Sequence, residues 1–170
     1  MDITISNARP DDSTYIAHLM RGNYNALSFV PQPSIERNAE AGNILLARVN
    51  NAEAGYLYHS PIGARGRVHV HQACIDYDIR GQEYGARLVR RLELKCRQAR
   101  IQHIGLRCAD DLPANEFWRR MGFVHVGQIA GGKCRGRMLN CWLKPLQPQI
   151  FALDTAEKAV SMVNVGGGKA

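Results

Sequence analysis

The segment that most constrains the fold runs from Val68 to Ala99. An alternating apolar stretch, Val68 to Asp76, reads as a strand. A short polar turn containing Arg80 and Gly81 follows, and a helix opens near Tyr84-Gly85-Ala86. Tyr84, Leu88, Val89, Leu92, Cys96 and Ala99 recur at spacings that place them on one helical face. The opposite face is Arg87, Arg90, Arg91, Glu93, Lys95, Arg97, Gln98 and Arg100. A glycine-containing turn that feeds a buried strand into a helix leaves the first helical N–H groups without partners. Those donors and the positive end of the helix dipole suit an anion, most often phosphate.

The remaining sequence fits around that unit as further strands and helices. Ile3 to Asn7 alternates as a strand. Asp11, Asp12 or Ser13 can cap a helix through about Arg21, with Tyr15, Ile16, Leu19 and Met20 on its apolar face. After an irregular link, Ser34 to Ala41 reads as a second helix. Asn43 to Val49 and Gly55 to Ser60 read as a hairpin turned at Asn50-Asn51. His103 to Cys108 is a strand, Leu112 to Met121 a helix stopped by Gly122, Phe123 to Gln128 a strand, and Arg137 to Lys144 a seventh strand. The spacing predicts a flexible basic loop over Ile129 to Gly136. The expected organisation is one α+β domain over 1–145 and a tail over 146–170 that carries a short helix and is partly disordered.

Composition narrows the class. A chain of 170 residues with 45% hydrophobic content supports a single packed core. No run of apolar residues is long enough to span a bilayer, and the N-terminus lacks a signal-peptide core, so a cytoplasmic location without membrane association is expected. Five cysteines without a CxxC pair read as reduced thiols, and no metal site is expected. The net charge of +7 is concentrated between positions 80 and 137, where eleven Arg and two Lys face five acids. That half suits an anionic cofactor, an acidic substrate or nucleic acid.

Two stretches carry a family resemblance. Ile75-Asp76-Tyr77-Asp78-Ile79-Arg80-Gly81-Gln82-Glu83-Tyr84-Gly85-Ala86 resembles the acyl-CoA pyrophosphate loop of the GNAT N-acetyltransferases, with Arg80 and Gly85 in its outer places. Asp111-Leu112-Pro113-Ala114-Asn115-Glu116-Phe117-Trp118-Arg119-Arg120-Met121-Gly122-Phe123 is similar to the helix that follows in that family. The order of elements over about 3–144 agrees.

The resemblance implies an αβα layering, with a mixed and mostly antiparallel sheet of about seven strands and about four helices. It implies acetyl-CoA as co-substrate and an amine as acceptor. The amides from Gln82 to Ala86 would hold the pyrophosphate, with Gly81 in the same turn. The strand end around Ile75 and Tyr77 would bond the pantetheine, and a backbone N–H there would polarise the thioester carbonyl. Arg80 or Arg87 would meet a phosphate. Asp111, Ala114 and Trp118 fall at the family's positions along the cofactor arm. Three positions depart from the pattern: Glu83 replaces a glycine, Asp111 an asparagine, and Trp118 the tyrosine that protonates the departing thiolate.

His69 falls where the family often carries the general base on its fourth strand, and His71 shares its face by strand alternation. The function implied is acetyl transfer to an amine by direct attack in a ternary complex. The alternative is a catalytically weakened protein of the same fold whose Arg-rich face binds nucleic acid or an acidic partner. A third reading is an enzyme of this kind that modifies a nucleic-acid base or an aminoacyl-tRNA, using the basic face to hold phosphate. The seventh strand and the tail are able to pair two chains, so a homodimer is a further expectation.

Overall fold

The computed structural model describes residues 2–63, 66–131 and 136–146. The tail expected over 146–170 lies outside the described residues except for Leu146, as do residues 132–135 of the glycine-rich loop. The chain runs β1 (Ile3–Asn7), α1 (Ser13–Gly22), α2 (Gln32–Glu40), β2 (Ile44–Val49), β3 (Ala52–His59) and β4 (Arg67–Ile75). It continues α3 (Tyr84–Gln98), β5 (His103–Ala109), α4 (Ala114–Arg120), β6 (Val124–Ala130) and β7 (Met138–Pro145). Single 3-10 turns at Pro10–Asp12 and Tyr77–Ile79 complete it.

The described strands form one seven-stranded sheet in the order β1-β2-β3-β4-β5-β7-β6. Every neighbouring pair is antiparallel except β4 with β5. The parallel pair follows from the connection: a strand, a crossover helix and a strand return in the same direction. The β2–β3 hairpin closes at Asn50 and Asn51, whose φ of 50° and 68° put both in the left-handed region that a two-residue turn of this kind needs.

Two apolar clusters cover the two faces of the sheet. One gathers Leu88, Val89, Leu92 and Cys96 of α3 and Trp118 of α4 against Leu45, Leu57, Val68, Val70, Ile104, Leu106 and Trp142. The other packs Ile16, Leu19 and Met20 of α1 and Ile35 of α2 on Ile44, Leu46, Tyr56 and Cys74. The apolar stripe of α3 is buried from Tyr84 to Cys96, whereas Ala99 lies past the helix end and is exposed. Three further sequence expectations are corrected. Ile129 and Ala130 belong to β6, because they pair with Leu139 and Met138 of β7 and so extend the ladder into the presumed loop. The fourth helix begins at Ala114 rather than Leu112, after the Pro113 that caps it. The second begins at Gln32, with Pro33 accommodated in its first turn.

Candidate active site

The parallel pair is the centre of the site. It holds only from Arg67↔His103 to Val70↔Leu106. Beyond that point β4 continues to Ile75 beside β3 alone, and β5 continues to Ala109 beside β7 alone. The two strands therefore part, and the backbone edges that face each other across the gap have no strand opposite.

The amides that enter the gap follow from the ladder on the other side of β4. Asp76 donates its N–H to Ala54 O on β3. Amides of a strand point alternately to its two sides, so Cys74 and Gln72 also turn towards β3 while Ala73 and Ile75 direct theirs into the gap. A bulge intervenes upstream: Tyr58 pairs with Gln72 but His59 with Val70, leaving His71 as the extra residue. The resemblance pointed to the strand end near Ile75 and Tyr77. The structure keeps Ile75 in the strand but places Tyr77 in the following 3-10 turn, 79% exposed, and adds Ala73. A bulge carries no sequence signature strong enough to have revealed Ala73.

At the open end of the gap stands the N-terminus of α3. Among the described residues, the amides of Gly81, Gln82, Glu83, Gly85 and Ala86 make no hydrogen bond to the backbone, and the first helical bond is Arg87 N–H to Glu83 O. Glu83 takes φ of 63° at the helix cap, the conformation a glycine would hold freely, and its side chain is exposed. A Cβ on Gly85 would lie 3.4 Å from the Phe117 ring and 3.7 Å from Ile75, so glycine there lets α3 approach the gap wall. Tyr84 is buried, its hydroxyl donating to Gln82 Oε1 at 2.9 Å. The side chain of Arg87 is exposed and has no partner among the described residues. Arg80 instead donates Nε–H to Ile75 O at 2.9 Å and Nη2–H to Asn23 Oδ1 at 2.7 Å, with its guanidinium 5.3 Å from the Tyr77 ring centre.

The residues of the second motif divide. Trp118 is 6% exposed and packs edge-on against Phe117 and Phe123. Ala114 opens α4 and is exposed. Asp111 is engaged by Arg137, whose Nε and Nη2 both donate to Oδ2, at 3.1 and 2.6 Å. Asn115, which the sequence did not single out, anchors the helix: its Nδ2 donates to Ala109 O and Leu112 O at 2.8 Å, and its Oδ1 accepts from Asn140 and from the Trp142 indole at 3.0 Å.

His69 and His71 do come together, with ring centres 5.2 Å apart, and Tyr58 lies 4.8 Å from His71. His69 sits opposite Gly105, just before the strands part. Burial pushes its pKa down to about 4, helped by His71, Arg107 and Arg67, so the imidazole is uncharged at neutral pH. Burial lowers His71 as well. Close by, Gln72 is buried, accepts from Tyr56 and donates Nε2–H to Ser28 O at 2.5 Å. Met20, Arg21, Tyr24, Leu27 and Phe29 line a shallow apolar hollow of about 150 Å³ in the link between α1 and α2. Among the described residues no group of three metal-binding side chains converges, and no helix is long and apolar enough to cross a membrane.

Among the described strands the sheet opens at its one parallel seam, with a helix N-terminus at the mouth, which makes this a mixed αβ fold with a cleft between two strands. The model of the acetyltransferase (GNAT) domain matches residues 24–131, and the chain belongs to that family of acetyltransferases. Solved structures agree in fold. Ard1 from Thermoplasma volcanium superposes with a TM-score of 0.78 at 15% identity, covering 87% of this chain and 100% of that one. The yncA protein of Salmonella typhimurium, solved with its cofactor acetyl-CoA, gives 0.74 at 18% identity, covering 88% and 96%. Arabidopsis thaliana Naa50, in complex with the bisubstrate analogue CoA-Ac-MVNAL, gives 0.73 at 16% identity, covering 85% and 99%. No curated protein matches the chain.

Proposed function

We propose that the chain moves an acetyl group from acetyl-CoA to an amine by direct attack within a ternary complex. The observation that carries this reading is the parting of β4 and β5 after Val70↔Leu106, which leads to the amides of Gly81, Gln82, Glu83, Gly85 and Ala86, none of them bonded to the backbone. The pyrophosphate lies on the amides of Gly81, Gln82, Glu83, Gly85 and Ala86, favoured by the helix dipole, and Arg87 meets a phosphate. The pantetheine arm lies in the gap, bonded by the backbone of Ala73 and Ile75. The acetyl-CoA in the yncA structure and the bisubstrate analogue in Naa50 support an acyl-CoA as co-substrate.

The acceptor enters from the α1–α2 side, where His69 and His71 stand. Its nitrogen attacks the thioester carbon, the C–N bond forms, and the carbonyl oxygen gains negative charge beside a backbone N–H of β4. The ammonium proton passes to His69, directly or through water, and the C–S bond breaks. Indole is not an acid in this pH range, so Trp118 supplies no proton. Thiolate leaves as the anion and takes its proton from solvent.

The test is incubation with acetyl-labelled acetyl-CoA and a panel of amines, peptides and nucleic acids, alongside calorimetric titration with CoA. Label in an amide product and saturable CoA binding are expected. A protein that neither binds CoA nor transfers label overturns the reading.

A further inference from the structure

The irregular segment from Asn23 to Ser28 crosses the gap and is fastened to both of its walls. On the β4 wall, Arg80 bonds Asn23 Oδ1 and Ile75 O, and the buried Gln72 bonds Ser28 O. On the β5 wall, Arg137 donates Nη1–H to Asn25 O while Nε and Nη2 hold Asp111. Asp111 lies in the turn after β5, and the adjoining Asp110 N–H donates to Met138 O, so this turn is fixed to the start of β7.

Lost ladder bonds are thus replaced, across the opening, by a bracket of side chains. An isolated surface ion pair contributes little. Here, however, three N–H groups of one planar guanidinium converge on two chain segments far apart in sequence, which fixes geometry as well as charge. The departure at position 111 acquires a reason: a carboxylate accepts two bonds from Arg137.

We propose that Arg137 is a positioning residue which, with Asp111, clamps segment 23–28 to the β5 wall and sets the width of the gap. The proposal rests on the gap being the acyl-CoA slot, and its test separates the two.

Arg137→Met, Arg137→Lys and Asp111→Asn are compared with the parent by hydrogen exchange and by calorimetric titration with CoA. In Arg137→Met, amides of residues 23–30 exchange about tenfold faster while those of β1 and β2 keep their protection. CoA binds about fivefold more weakly, and the thermal midpoint stays within about 2 °C of the parent. Arg137→Lys and Asp111→Asn fall between. Unchanged exchange over 23–30 overturns the clamp. Faster exchange throughout the sheet makes Arg137 a general stabiliser and overturns it too. Faster local exchange with undiminished CoA affinity overturns the control of gap width. A parent that fails to bind CoA refutes the slot, while the exchange comparison still decides the clamp.

Discussion

β4 is one strand with two fates. Its inner half, Arg67 to Val70, pairs along its length with β5, meets β3 at Val70, where His59 lies opposite, and buries Val68 and Val70 in the core. Its outer half, His71 to Ile75, has a ladder on one side only and faces a gap on the other. The side chains of both halves are of ordinary β type, so composition does not separate them. What differs is where β5 goes after Leu106. The inner half is closed on the β5 side, and the outer half leaves the backbone donors of Ala73 and Ile75 facing the gap. The acyl-transfer proposal rests on hydrogen bonds that the sheet does not make with itself.

The sharpest contrast comes from blocking the mouth of the gap. Gly85→Asp puts a carboxylate among the amides proposed to hold the pyrophosphate and a Cβ 3.4 Å from Phe117. Repulsion in a site built for an anion should weaken CoA binding by at least about 100-fold, read by calorimetry. Gly85→Ala carries the same Cβ without the charge and separates the two causes. CoA binding equal to the parent's in Gly85→Asp would show that the α3 N-terminus does not hold the cofactor.

The inner half should respond in the opposite currency. Leu106 is 3% exposed and pairs with Val70 at the last rung before the strands part. Leu106→Ala should cost about 3 kcal/mol of unfolding free energy, measured by denaturant titration. The surviving folded fraction should still bind CoA with the parent's affinity. Loss of affinity at full stability would mean that the halves are not independent.

The legible part of this molecule was the part with local periodicity. The strand–turn–helix unit, the hairpin at Asn50-Asn51 and the element order needed only alternation, helical spacing and turn residues. The missing parts are non-local. The bulge at His71 decides that Ala73 faces the gap, and it arises from pairing with β3. The Asp111–Arg137 pair joins positions far apart in sequence that only the β5–β7 ladder brings together. Asn115 was visible merely as a polar residue within a motif. Two of its bonds come from Asn140 and Trp142, residues of β7. Glu83 was recognised as a departure, but its left-handed backbone was not predictable from its identity.

At the junction of the halves stands His69, and its contribution has a definite pH signature. With its pKa near 4, the basic form is fully present from about pH 6 upward. His69→Ala should therefore lower the rate uniformly across pH 6–9 by about tenfold, modest because so weak a base gains little driving force. The wild-type acid limb near pH 4 should vanish with it. A loss confined to the region below pH 6 would remove His69 from proton transfer. The sign for stability follows from the same depression: protons bind more readily to the unfolded chain, so the folded state weakens as pH falls from about 6.5 towards 4.

The smallest effect should come from Glu83, where two influences on stability oppose each other. A left-handed conformation costs a residue with a side chain about 1 kcal/mol relative to glycine. A carboxylate near a helix N-terminus returns about 0.3–1 kcal/mol through the dipole. Glu83→Gly should thus change stability by less than about 1 kcal/mol, within reach of a careful thermal melt. Affinity is not subject to that cancellation. Removing an exposed negative charge beside the proposed pyrophosphate site should tighten CoA binding about twofold to threefold at low salt, a gain that shrinks as salt screens it. Glu83→Asn tolerates the same backbone without the charge and should show the affinity gain. If Glu83→Gly binds CoA more tightly and Glu83→Asn does not, backbone freedom rather than charge governs the mouth of the gap.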